Sequence, residues 1–145
     1  PKDRLWIIDG HHLVRALYDE GVEDVLSHVI ADLRDLPDRL FKTYMDNRGW
    51  LHPFDAAGKR QPAKALPRHI RDLADDPYRS LAGELRRIGG YAKEETPFAE
   101  FLRADYLRGK IALRSVEKDF DKALLKAVRL AHTADAAYLP GWVAG

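Results

Sequence analysis

No cysteine occurs in the 145 residues, which excludes disulfides, thiolate metal ligands and cysteine nucleophiles together. No apolar run approaches the ~20 residues that a bilayer-spanning helix needs, and no secretory leader pattern is visible. A cytoplasmic protein with no membrane partner is therefore expected. The spaced His, Asp and Glu patterns of structural metal sites are missing, as is the G-x-x-x-x-G-K-[ST] phosphate loop. Nothing supplies the carboxylate cluster of a two-metal nuclease, and no helix-turn-helix, internal repeat or low-complexity tract is evident. Charge of one sign is scarce too: the net is only +1. It is unevenly spread, with 7 Lys/Arg against 11 Asp/Glu over residues 1–58 and 17 against 12 over residues 59–145. That asymmetry is compatible with a polyanion surface on the second half without requiring one.

What is present is 46% apolar content, enough for one globular domain with its own core. The organising stretch is Leu5–Leu17, LWIIDGHHLVRAL. Leu5 to Ile8 form a short apolar run with two β-branched members, which predicts a buried strand. Asp9-Gly10 breaks the chain, and His11 to Glu20 resumes at helical spacing, with Leu13, Ala16 and Leu17 on one face and Gly21 as the stop. A glycine turn at a helix start is suited to an anion. The first N–H groups lack intrahelical partners, the macrodipole is positive there, and glycine permits close approach. The same residues also fit an ordinary strand-to-helix connection with Asp9 as the N-cap. A positive charge is unfavourable at that end, so at least one of His11 and His12 is expected to be a neutral imidazole able to act as a base.

Further along, Val25–Leu33 predicts a second strand, giving a βαβ opening. Pro37 starts a helix that would bury Leu40, Phe41, Tyr44 and Met45. Trp50–Lys64, with Pro53, Gly58 and Pro62, reads as a loop containing a turn at Asp55–Gly58. A short helix over Leu66–Leu73, begun by Pro67, follows. Asp76-Pro77 is an N-cap and N1 pair opening a helix that runs to Ile88 and stops at Gly89-Gly90. Thr96-Pro97 repeats that device, and a last helix spans Ser115–Ala131. On it Arg114, Lys118, Lys122, Lys126 and Arg129 make a basic stripe beside Glu117, Asp119 and Asp121. The stripe suits a nucleic-acid backbone or simply solvent. Trp50, His52 and Asp55 meet on the proline-rich loop, as a base-stacking wall or as an anchor.

DGHH after an apolar run resembles the phosphate box of the ParB/sulfiredoxin superfamily. Gly10, Arg15 and Ala16 match the partition proteins' G-E-R-R-x-R-A box in register. Asp9–His12 match the D-G-H-H-R box of the superfamily's free-serine kinases, although Leu13 stands where arginine is expected. His11 occupies the place of the sulfiredoxin cysteine, so that reductase chemistry is excluded. NRGWLHP (Asn47–Pro53), DDPYRSLAG (Asp76–Gly83), GGYAK (Gly89–Lys93), TPFAEF (Thr96–Phe101) and YLPGW (Tyr138–Trp142) extend the resemblance to the ParB-like nuclease branch over nearly the whole chain.

The resemblance implies an α/β (α+β) fold. A small βαβ core over residues 1–35 would be followed by a mostly helical extension over residues 36–145, as one domain. Relatives carry strands before the DGHH segment, so the upstream part of the domain is expected to be trimmed. The implied function is binding of a phosphate or nucleotide, with cleavage of nucleic-acid phosphodiesters. A nucleotide-dependent small-molecule kinase and a non-catalytic nucleotide switch or DNA-binding module are the alternatives. His11, His12 and Asp9 are the catalytic candidates. Gly10, His12, Arg15, Arg79, Ser80 and Lys93 are the phosphate- or nucleotide-binding candidates. Mg²⁺ and a nucleoside tri- or diphosphate are the expected cofactors, and no protein-held metal site is expected.

Overall fold

A computed structural model describes residues 4–55, 57–96 and 98–144. Among the described residues there are six α-helices: α1 (His11–Asp19), α2 (Asp38–Asn47), α3 (Pro77–Arg87), α4 (Ala99–Arg108), α5 (Leu113–Lys118) and α6 (Phe120–Ala131). Three single 3₁₀ turns lie at Ala63–Ala65, Ile70–Asp72 and Ala134–Ala136. Among the described residues no helix is long and apolar enough to cross a membrane. The chain divides into two compact units, Pro1–Ala74 and Asp75–Gly145.

The α/β (α+β) expectation is overturned: the described residues are helical, with no strand and one isolated bridge between Phe54 and Arg60. Neither predicted strand of the βαβ core over residues 1–35 forms. A strand is stabilised by a ladder partner and by a face to bury, and the apolar pattern of 5–8 and 25–33 meets neither here. Leu5 is 85% exposed, Leu26 is fully exposed, and Val25, Val29 and Ile30 also face solvent. Trp6 instead sets its ring against Phe41 of α2, centroids 5.0 Å apart.

In the first unit the helix stops at glycine form as the sequence predicts. After α1, Gly21 (φ +74°) donates to Tyr18 O at 3.1 Å and Val22 to Leu17 O at 2.9 Å. After α2, Gly49 donates to Asp46 O and Trp50 to Met45 O, both at 2.9 Å. Both are the paired bonds of a glycine-terminated helix end. On α2 only Phe41 and Met45 are buried, while Leu40 and Tyr44 stay partly exposed. Of the helix expected over 66–73, only the turn Ile70–Asp72 forms. In the predicted Asp55–Gly58 turn, Asp55 Oδ1 accepts from Ala57 N at 3.0 Å and Lys59 N at 2.9 Å; Ala56 lies outside the described residues.

The second unit holds the larger core. Asp76 caps α3 by accepting the Tyr78 N–H at 3.0 Å, and Pro77 occupies N1, as the sequence indicates. The helix ends with Gly89 donating to Arg86 O and Gly90 to Leu85 O. Any Cβ at Gly90 would run into the Leu85 side chain. Leu81, Ala82 and Leu85 of α3 pack with Ala104 and Leu107 of α4, Val116 of α5, and Ala123, Ala127 and Ala131 of α6. The alanines recur every four residues, so one bare stripe of α6 lets its backbone approach the core. Pro97, expected to open α4, lies outside the described residues; Phe98 stands at the cap with φ +60°.

The helix expected over 115–131 is broken at Asp119 (φ −154°), whose carboxylate caps α6 by accepting Lys122 N at 3.0 Å. The basic stripe is therefore not continuous. Arg114 and Lys118 belong to α5, and Lys122, Lys126 and Arg129 to α6, with Lys126 Nζ donating to Lys110 O at 3.0 Å.

Candidate functional site

The DGHH turn forms the entrance to α1. Gly10 sits at the cap position in the left-handed region (φ +74°, ψ +19°), a conformation that costs a side-chain-bearing residue about 1–2 kcal/mol. Asp9 is not the N-cap. Its Oδ1 accepts the Gly10 N–H at 2.7 Å, one residue ahead of the helix. With glycine at the cap there is no side chain to satisfy the first turn, and the N–H groups of His11, His12 and Leu13 have no intrahelical acceptor. Among the described residues, nothing beyond its own chain neighbours lies within 4 Å of where a Gly10 Cβ would stand. Both imidazoles are exposed. The result is an open, uncapped helix start whose dipole and N–H groups favour an oxyanion, flanked by two imidazoles that can donate to it or take a proton.

Arg15 does not reach back toward the turn. Its Nε donates to Asp19 Oδ2 at 2.8 Å and Oδ1 at 3.0 Å, and its Nη1 to Arg71 O at 3.0 Å and Leu73 O at 2.9 Å. The Asp19 carboxylate raises the Arg15 pKa above its ordinary value. No residue of α1 is buried, so these bonds, rather than an apolar face, tie it to the Ile70–Asp72 turn.

Arg79, Ser80 and Lys93 fall in the second unit. Arg79, in the first turn of α3, pairs with Glu100 of α4 and lies with its Cζ 4.8 Å from the Phe101 ring centroid. Glu100 also receives Arg86. Ser80 Oγ donates to Asp75 Oδ1 at 3.4 Å. Lys93 is exposed and follows Ala92, whose N–H donates to Gly141 O at 2.8 Å. Among the described residues no group of three or more His, Asp or Glu gathers as a metal site.

Two residues that the sequence reading passed over carry much of the second unit. Glu100 joins α3 to α4 through two guanidiniums. Arg103 is fully buried, its Cζ 4.2 Å from the Tyr91 centroid and its Nη2 donating to Pro140 O at 2.9 Å. Burial lowers the Arg103 pKa. Its helical register was the available signal, since Ala99, Arg103 and Leu107 share one column of α4.

These contacts give the family motifs a physical meaning. Tyr78 of DDPYRSLAG donates to Ile111 O at 2.7 Å, and Tyr91 of GGYAK to Ala82 O at 3.0 Å. Ala92 is hydrogen-bonded to Gly141 of YLPGW. There φ is +70°, and a Cβ would collide with the Ala92 carbonyl. The motifs after residue 75 hold one another together.

The family model described as "Putative ParB-like nuclease" matches residues 1–109, and the chain belongs to that family. It is also similar to a solved structure, the crystal structure of protein Atu1540 from Agrobacterium tumefaciens. The two are 48% identical with a TM-score of 0.97, covering 100% of this chain and 77% of that one. No curated protein matches the chain.

Proposed function

We propose that this chain binds a phosphate group at the start of α1 and acts there on nucleic-acid phosphodiesters. The observation that carries the reading is the uncapped helix end: Gly10 in the left-handed region, three N–H groups without helical acceptors, and exposed imidazoles at His11 and His12. Membership of the ParB-like family supports the choice of a phosphodiester.

In this reading the N–H groups hold the non-bridging oxygens, where negative charge grows as a nucleophile adds to phosphorus. Water is the nucleophile; His11 serves as the base that takes its proton, the P–O bond to the leaving sugar oxygen breaks, that oxygen takes a proton from solvent, and His12 donates to the phosphate. One nitrogen cannot be a neutral base and a phosphate donor at once, so the roles divide between the two rings. Arg15 contributes through Arg71 and Leu73, by fixing the direction of α1. Mg²⁺ usually keeps several waters and binds through one or two carboxylates together with substrate phosphates. Asp9 would be the carboxylate to hold it, and the metal would neutralise charge on the phosphate.

The same turn suits the phosphates of a nucleoside tri- or diphosphate. Leu13, in the position where the kinase box carries arginine, weighs against phosphotransfer to a small molecule. Titration with nucleotides and short oligonucleotides, with turnover assayed under Mg²⁺ and Mn²⁺, tests the reading. His11→Ala should lose turnover at near-normal affinity, and His12→Ala should lose affinity. Folded variants that both bind and react like the wild type would overturn it.

A further inference from the structure

The first unit carries a second feature that the α1 turn does not use. Two stacked rings and a guanidinium over the second of them line up on the loop after α2. The His52 and Phe54 ring centroids are 4.5 Å apart at 29°, and the Arg60 Cζ lies 5.7 Å from the Phe54 centroid. The isolated bridge between Phe54 and Arg60 sets the register of the last two. Arg60 Nη2 donates to both carboxylate oxygens of Asp46 on α2 at 3.1 Å, which fixes the guanidinium at the end of the stack. Beside it opens a cleft of about 280 Å³. Leu51, Pro53, Pro62 and Ala63 give it apolar walls, and Lys42 and Arg60 are its cations.

The loop is also fastened. Asp55 accepts from Ala57 N, Lys59 N and, at 2.6 Å, Gln61 Nε2. Trp50 N closes the end of α2, and its ring meets Tyr44 edge-on at 5.8 Å with Arg48 5.1 Å from its centroid. Around this feature the charge reverses: residues 39–64 hold six Lys/Arg against two Asp/Glu, in a half of the chain that is otherwise acidic.

We infer that the cleft beside Arg60, at the end of the His52–Phe54–Arg60 stack, binds single-stranded nucleic acid. Unpaired bases are recognised by stacking on aromatic rings or on guanidinium planes, within a positively charged track for the backbone. Asp46 balances the Arg60 charge and anchors its Nη2, so Arg60 offers a planar cation for stacking and Lys42 supplies the charge for phosphate. The proline and leucine walls suit the flat apolar face of a base. In a duplex those faces are already stacked on one another, so this arrangement selects single strands. The inference rests on the phosphodiester reading above for its choice of a nucleic acid. Its readout is binding rather than turnover, so a silent α1 turn with intact oligonucleotide binding would fail that reading alone.

The experiment uses the full chain and fluorescence anisotropy with labelled dT12 and U12, the matching duplex, and polyglutamate as competitor. Single strands should bind more tightly than duplex. Arg60→Lys keeps the charge and the Asp46 partner but loses the plane. It should weaken single-strand binding at least fivefold, with an unchanged slope of log affinity against log salt. Lys42→Ala should reduce the magnitude of that slope by about 0.7. Duplex preference, equal displacement by polyglutamate, wild-type affinity in Arg60→Lys, or no binding of any oligonucleotide would each overturn the inference. Both side chains are exposed, so these variants are expected to fold.

Discussion

Inside residues 75–144 the Arg103 guanidinium lies 4.2 Å from the Tyr91 ring centroid, with no exposed surface. Among the described residues its Nε and Nη1 meet no acceptor. Its aliphatic stem and planar head fill a channel between α4 and the chain segments of Tyr91 and Pro140. Volume and stacking therefore weigh more than hydrogen bonding. Arg103→Ala should cost about 3–5 kcal/mol, as for a large buried side chain cut to alanine. Arg103→Met should cost less than half of that, since it refills the channel and removes two donors that lack acceptors. Urea unfolding of both variants decides the point. A Met variant as unstable as the Ala variant would show that the guanidinium's polar contacts dominate.

Asp76 has two separable tasks. Its Oδ1 caps α3, and its Oδ2 receives Arg108 Nη2 at 2.6 Å. Asp76→Ala loses both and should cost about 2 kcal/mol or more. Asp76→Asn keeps a capping oxygen and should cost less than half as much. Thermal unfolding of the pair checks this; equal losses would mean that the Arg108 contact carries the effect.

The Asp55 loop gives a dependence on pH. The Lys59 backbone N–H, with Gln61 and Ala57, holds the Asp55 carboxyl below the usual carboxylate range against a smaller opposing effect of desolvation. A depressed carboxylate pKa contributes stability above the unfolded value, near 4, that is lost as pH falls through the folded value. Acidification below about pH 4 should therefore loosen the loop, and oligonucleotide binding should fall with it. Asp55→Asn should flatten that acid limb. An unchanged limb in this variant would place the titration elsewhere.

The legible parts of this chain were those decided locally. Asp76-Pro77, Gly21 and Gly89-Gly90 each mark a helix end through their own backbone chemistry, and the structure places the ends there. The predicted strands failed because apolar alternation records only that a face wants burial. Leu5–Ile8 and Val25–Leu33 carry the pattern, but whether a strand forms depends on a partner that local sequence does not encode. The break at Asp119 was missed for the opposite reason. Helical spacing continues across it on both sides, and only the capping bond to Lys122 reveals that the aspartate starts a new helix. At the site, the position of the turn and its histidines was readable from DGHH, whereas the box match of Arg15 and the helix-start position of Arg79 did not reveal what these side chains bind. Their partners, the carbonyls of Arg71 and Leu73 and the Glu100 carboxylate, are 58 or fewer residues away along the chain and depend on the fold.

Gly10 offers a test that separates backbone from contact. Asparagine tolerates the left-handed region, whereas valine does not. Gly10→Asn should retain the helix start and much of the anion affinity. Gly10→Val should lose anion binding altogether, with a stability loss of about 1–2 kcal/mol or somewhat more. Phosphate affinity by calorimetry, alongside melting curves, checks the pair. Full affinity in folded Gly10→Val would show that the anion does not approach this turn.

The central claim, that the start of α1 receives a phosphate, is tested most directly by following backbone amides during a titration. ¹H–¹⁵N spectra of the full chain with inorganic phosphate, and then with a nucleoside diphosphate, should show saturable shifts largest at His11, His12 and Leu13. Those shifts should disappear in Gly10→Val. Amides of His11–Leu13 that stay unmoved while the ligand shifts other residues, or a titration with no saturable shift, would contradict the account.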